Sequence, residues 1–358
     1  MSFFIISSKL VYGYILTDKL FFLKVFWCIM CDMIKITVME NQGDQRLDRF
    51  LKKYLANAPL SYIYRLIRKD VKVNNRRSTP EAIIKNGDEI TLHISEEQAA
   101  ALKKQKKQVK AKKQFSVIYE DDNILLVSKP LGLLTHGDSR EKKDHLANQV
   151  AGYLIEKGEY DPYRDEAFSP APVNRLDRNT TGLVIFGKNS AVLRELSAML
   201  RGRDGIEKSY LTITSGHIKE PLRMLDSMTK DSQRNIVTVG AKDDGGKLME
   251  SYVEPIMRTQ KGRPFTLAEV TIRTGRTHQI RAQLAKAGYP LIGDSKYGNR
   301  TVNAFVRREY DLTTQLLHAF RIRFASCRED GPLAYMQGKE FICELPERFT
   351  RIKKDIFG

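Results

Sequence analysis

The run Val173-Asn-Arg-Leu-Asp-Arg-Asn-Thr-Thr-Gly-Leu-Val-Ile-Phe-Gly-Lys188 limits what this chain can fold into more than any other stretch. Leu183 to Phe186 is a short apolar run between glycines and reads as a strand buried in a sheet. A polar turn holding Arg175, Asp177, Arg178, Thr180 and Thr181 leads into it. Asp177 is the focus, a carboxylate with a cation on each side and Gly182 behind it. Loops carried by rigid strands are where reacting groups are commonly held. Taken alone, an Asp between two arginines is more often a surface ion pair. The rest of the chain decides between the two readings.

A chain of 358 residues has room for about two domains and a sizeable core. Its net charge of +17 points to a polyanionic partner, nucleic acid first and an anionic membrane surface second. Cys28, Cys31, Cys327 and Cys343 form no disulfide framework, and Cys28-Ile-Met-Cys31 has neither a second pair nor a histidine cluster to complete a metal site. The cysteines read as incidental, the compartment as the reducing cytoplasm, and no metal is expected. Residues 1–32 are apolar and aromatic but interrupted by Lys9, Asp18, Lys19 and Lys24. No uninterrupted run reaches the roughly 18 residues of a membrane span, and the segment lacks the basic start and small-residue cleavage site of a signal peptide. It reads as an extension ahead of Met33 that is not part of the fold, with a peripheral membrane anchor as the lesser alternative.

From Met33 the pattern is orderly. Leu47, Phe50, Leu51, Tyr54 and Leu55 mark one face of an amphipathic helix. Ser61 is positioned to cap a second helix, with Ile63, Leu66 and Ile67 on its apolar side and Arg65, Arg68 and Lys69 on its polar side. The strand Val71-Lys72-Val73, a turn at Asn74-Asn75 and a strand over Glu89 to Ile94 complete a small domain spanning residues 33–94. Its charges are either an ordinary solvated face or a phosphate-binding one. Residues 95–114 read as an extended or loosely helical linker rich in lysine, including Lys103, Lys104, Lys106 and Lys107, serving as a basic RNA guide or simply as a spacer.

The second domain, residues 115–358, opens with two apolar strand runs around an acidic turn, ending at Lys129-Pro130-Leu-Gly132. A helix is expected over Leu146 to Leu154, and another after Asn189-Ser190 with Val192, Leu193, Leu196, Met199 and Leu200 on its apolar side. The strand Glu207-Lys-Ser-Tyr-Leu-Thr-Ile-Thr-Ser-Gly216 places Lys208, Tyr210 and Thr212 on one face. Asp226 to Lys247 reads as an irregular surface excursion, with strands resuming over Met249 to Ile256 and Phe265 to Ile272. Arg273-Thr-Gly-Arg-Thr-His-Gln-Ile-Arg281 then enters a helix, and with Thr277 as its cap Arg281 stands in the first turn, where the macrodipole disfavours a cation unless a carboxylate or phosphate is near.

Three of these stretches, in this order, resemble the signature motifs of the RluA-type pseudouridine synthases: Arg175-Leu-Asp177 through Thr180-Thr-Gly-Leu183, Lys208-Ser-Tyr210, and Thr274-Gly-Arg through Arg281. Leu291-Ile-Gly-Asp294, Tyr297-Gly298 and Leu316-Leu-His-Ala319 are similar to the family's later segments, and residues 33–94 resemble the small RNA-binding fold named after ribosomal protein S-four. One position departs: the family's commoner residue before Arg-Leu-Asp is histidine, and here it is Asn174. The resemblance implies an α+β protein, an S-four-type domain followed by a catalytic domain with a mixed, largely antiparallel sheet and peripheral helices. It implies Asp177 as the catalytic carboxylate, kept ionised and aimed by Arg281, with Tyr210 against the target base and Lys208 and Arg175 in support. Arg65, Arg68, Lys69, Lys72 and the linker lysines would bind RNA.

Such a reaction breaks the bond from ribose to uracil nitrogen, turns the base and rejoins it through carbon five. It involves no net redox change and no phosphate energy, so no cofactor is expected, and a monomer suffices. His136 and His278 read as structural, since nothing in the sequence pairs them. Large-subunit ribosomal RNA is the leading substrate and transfer RNA the alternative. A non-catalytic ribosome-assembly factor and a uracil-releasing glycosylase are the competing functions.

Overall fold

The computed structural model describes residues 33–103, 112–139, 141–164, 167–231, 236–240 and 246–358. The 1–32 extension, Cys28, Cys31, Lys104, Lys106 and Lys107 lie outside them. Contacts divide the chain into two units, one running through the N-terminal region and taking in Pro162–Phe168, the other holding the remainder. An uninterrupted second domain over 115–358 does not anticipate that excursion.

In the first unit, β1 (Ile34–Thr37), β6 (Glu89–Leu92), β3 (Val71–Val73) and β4 (Arg76–Arg77) form an antiparallel sheet in that order, while β2 (Gln45–Arg46) pairs with β5 (Ile83–Ile84). Helices α1 (Leu47–Tyr54) and α2 (Leu60–Asp70) bury the predicted faces, Leu47, Phe50 and Leu51 against Ile63, Leu66 and Ile67. The second helix starts one residue ahead of Ser61: Pro59, with φ −66° and ψ 152°, is its cap, and its carbonyl accepts from Tyr62 and Ile63. Asn74 and Asn75 both adopt positive φ, 50° and 63°, the two left-handed residues a tight hairpin requires. The linker begins as helix α3 (Glu96–Leu102), capped by the Ser95 hydroxyl, because Ala99 and Leu102 find apolar partners in this core.

The second unit is built on one sheet in the order β13 (Ile236–Gly240), β12 (Leu222–Asp231), β14 (Lys247–Arg258), β15 (Phe265–Ile272), β11 (Ile206–Ser215), β16 (Leu317–Phe324), β10 (Thr181–Gly187), β8 (Ile124–Lys129), β7 (Ser116–Glu120). The short β9 (Ala171–Pro172) and β17 (Glu340–Ile342) pair with β10 and β16. All pairs are antiparallel except β10 with β16. Helices α4 (Leu146–Glu156), α5 (Ser190–Gly202), α6 (Gln279–Lys286), α7 (Arg300–Tyr310) and α8 (Glu347–Phe357) complete it. The expected irregular excursion over Asp226 to Lys247 is instead largely the β12–β13 hairpin, registered on β14 from Leu222–Val253 to Met228–Lys247. Few of its residues are apolar and buried (Met224, Met228 and Val237 are), so cross-strand bonds rather than alternation hold it. No helix among the described residues is long and apolar enough to cross a membrane.

Strand β10 is buried along its whole length and carries the Asp177 turn at its start. Gly182 lies at φ +107°, and a Cβ there would sit 2.2 Å from the Ala319 carbonyl oxygen, so only glycine lets β10 meet β16 at this point. Thr181 Oγ1 and His318 Nδ1, 2.8 Å apart, fasten the same register. Asn174 pairs with the strand as a backbone would, its amide nitrogen donating to Leu183 O (3.2 Å) and its Oδ1 accepting from Ile185 N (2.9 Å). Asn174→Ala should cost about 1–3 kcal/mol, because it strips partners from two groups on a buried strand. A denaturant midpoint equal to that of the wild type would sink this account.

Candidate active site

The turn from Arg175 to Thr180 is held from below. Thr180 N donates to Asp177 O at 3.0 Å, and the Thr135 hydroxyl bridges the backbone of Leu176. Lys129, fully buried at the end of β8, directs its amine to the carbonyls of Pro130, Leu133 and Arg178, at 3.1, 2.8 and 3.0 Å. Burial pushes that amine down to about 7, and the charge of Asp177 opposes the fall. The sequence predicts the strand ending at Lys129 but not its service to the Asp177 turn, since Arg178, whose carbonyl ties the amine to that turn, lies 49 residues further along the chain. Thr180 Oγ1 is buried without a partner among the described residues.

Asp177 is one-quarter exposed, and its two oxygens are treated differently. Arg281 Nη1 donates to Oδ2 at 2.9 Å, while Oδ1 has no bonded partner among the described residues. Arg281 is buried at the start of α6 and gives its Nε and Nη2 to Asp294, at 2.7 and 2.8 Å. Burial opposes the guanidinium charge, but the bonds and charges of Asp294 and then Asp177 outweigh it and hold its pKa up. Burial would likewise raise the Asp294 carboxyl, yet Arg281 and the backbone N–H groups of Lys296 and Tyr297 hold it below the usual range. One planar guanidinium thus serves two carboxylates, a buried one that orients it and a partly open one that it orients. The need of Arg281 for a nearby carboxylate was legible from its place in the helix; that Asp294 supplies a second was not.

The cap of α6 is His278 rather than Thr277, at φ +53°. Non-glycine residues are uncommon in this left-handed region, which often marks functional sites. His278 is not unpaired, as the sequence suggested. Val237 N donates to the Tyr297 hydroxyl at 2.8 Å, and the same hydroxyl shares a hydrogen bond with His278 Nδ1 at 3.0 Å. The other ring nitrogen, Nε2, faces Asp177 Oδ2 at 3.8 Å. Burial lowers the pKa of His278, with the charge of Asp177 opposing, which favours the neutral ring.

Tyr210 is buried on β11, its phenol held protonated by burial and by the charge of Asp177. Lys208, two residues earlier, is buried too, and burial pushes its amine down to about 8. Arg175 is exposed beside Asp177. Arg65, Arg68, Lys69 and Lys72 are exposed on the first unit, where Arg76 and Arg77 add to them through the hairpin pairing of Lys72 with Arg77. Lys103 is half-buried, its amine 4.2 Å from the centre of the Tyr54 ring. No group of three or more metal-ligating side chains occurs among the described residues.

The profile of the RNA pseudouridylate synthase family matches residues 123–286, the segment that carries Asp177, Tyr210 and Arg281. Ribosomal large subunit pseudouridine synthase C of Vibrio vulnificus is 31% identical over 305 residues, covering 83% of this chain and 90% of its own length. The Escherichia coli protein of the same name is 31% identical over 299 residues, covering 81% and 88%. Human RNA Pseudouridylate Synthase Domain Containing 4 shares the fold at a TM-score of 0.50 and 17% identity, covering 67% of this chain and 92% of that one. The likeness to the bacterial enzymes runs through both units and all three motifs, and the chain belongs to the RNA pseudouridine synthase family.

Proposed function

We infer that this enzyme isomerises uridine to pseudouridine in large-subunit ribosomal RNA, with Asp177 as its catalytic carboxylate. The observation that carries the assignment is the division of labour on Asp177: Arg281 holds Oδ2 and, among the described residues, nothing bonds Oδ1. A carboxylate can attack the sugar, add to the base or take a sugar proton. Each route needs one free oxygen on a carboxylate that cannot turn. Afterwards the C1′–N1 bond is broken, C1′ is joined to C5, C5 has lost its proton and N1 has gained one. The target must leave its stack at a cost of a few kcal/mol, and Tyr210 offers an aromatic face for the extruded base. Arg175, exposed beside the turn, is suited to fill the vacated stack or grip a phosphate.

The relatives named for large-subunit ribosomal RNA support that substrate. The first unit supports it as an RNA-binding module of the S-four type, since α2 and the β3–β4 hairpin expose Arg65, Arg68, Lys69, Lys72, Arg76 and Arg77. Such contacts give salt-dependent affinity rather than sequence choice. A ribosomal substrate is consistent with the cytoplasm. The test is tritium release from unmodified ribosomal RNA labelled at uracil C5. Release without free uracil is expected. Silence with ribosomal RNA and release from transfer RNA would reassign the substrate, and free uracil would make the protein a glycosylase.

A further inference from the structure

We propose that the Lys208 amine holds the phosphate flanking the target uridine in the RNA substrate, an assignment that rests on the isomerase reading above. Lys208 is more than nine-tenths buried, yet among the described residues nothing accepts a hydrogen bond from its amine and no carboxylate pairs with it. A buried ammonium with no partner is costly to keep. Its neighbours across the sheet, Ile272 on β15 and Ile322 on β16, are apolar. Burial is the cause of its lowered pKa, and no neighbouring charge contributes.

The surroundings leave the amine an approach. Gly275 stands over it, and even a Cβ there would be 3.8 Å from Nζ. Gly275 also lines an open groove of about 490 Å³ together with Lys247, Arg276 and Thr277. A side-chain amine has three donors and no acceptor, so it selects an anion, and in RNA the recurring anion is the phosphodiester. Strand geometry sets the position. Lys208 and Tyr210 share a face of β11, roughly 6.6 Å apart along the strand, a spacing that suits a base against Tyr210 and an adjacent phosphate at Lys208.

The test is steady-state tritium release from ribosomal RNA over a salt series. The wild type is measured first: no release would overturn the isomerase reading, whereas release makes the variants a test of Lys208 alone. Lys208→Met should raise KM about tenfold or more with kcat within about threefold. It should also flatten the slope of log kcat/KM against log salt by about 0.7, the share of one phosphate contact on a single strand. Lys208→Arg should keep the wild-type slope. Because the amine has no partner to lose, Lys208→Met should melt at or above the wild-type temperature, and Lys208→Gln provides a second neutral variant judged by the same slope. A wild-type KM and slope in the neutral variants would overturn the assignment, as would equal losses in the arginine and neutral variants.

Discussion

Asp177→Asn should lower tritium release by about 10⁴-fold or more, the scale seen when a reacting side chain is removed from an enzyme. The substitution keeps the shape of the side chain and an oxygen for Arg281 Nη1, now 2.9 Å from Oδ2. Arg281 also retains both bonds to Asp294, so its charge stays compensated. Folding and RNA affinity should therefore remain close to wild type while turnover disappears. Single-turnover release measured beside filter binding separates the two. Release within tenfold of wild type would show that Asp177 does not take part in the chemistry, and full function of the variant in a deletion strain would favour the assembly-factor alternative.

The second large effect is expected at Arg281. Arg281→Met removes the partner of Asp294, a carboxylate with no exposed surface, and leaves a buried charge uncompensated. Breaking one side of such a pair costs about 3–5 kcal/mol. The loss should appear as a lower denaturant midpoint, and release should fail as well because Oδ2 of Asp177 is no longer held. Adding Asp294→Asn tells the two consequences apart. Its amide oxygen can still accept from the backbone of Lys296 and Tyr297, so the double variant should recover much of the stability and none of the activity. Recovery of activity would mean that Arg281 matters only for folding.

Much of this site was legible in the sequence because its chemistry is concentrated in short runs. Asp177, Tyr210 and Arg281 each stand in a motif, and the helical position of Arg281 calls for an anion. The glycine of the central run was legible too, although its reason, the close approach of Ala319 O, needed the fold. What escaped depends on long-range meetings of residues that look ordinary alone. Asp294 reaches Arg281 from 13 positions further along the chain, and Tyr297 joins His278 to Val237, 60 residues away. Lys129 meets Arg178 O across 49 residues. The β12–β13 hairpin was missed for a different reason, since hydrogen-bond registration leaves little periodicity when few side chains are buried.

Pro162–Phe168 belongs to the first unit although β7, β8 and α4 of the second precede it in the chain. Ala167, 1% exposed, is part of the same apolar cluster as Leu47, Phe50 and Ile67. During synthesis this core therefore lacks one of its buried members, Ala167, when residue 103 leaves the ribosome. It waits for about sixty further residues, and by then the opening hairpin of the catalytic unit has also emerged. The first unit of the nascent chain is complete only after the second has begun to emerge. A proteolytic cut at the lysine-rich stretch alone would leave Pro162–Phe168, a part of the first unit, on the fragment that carries the second.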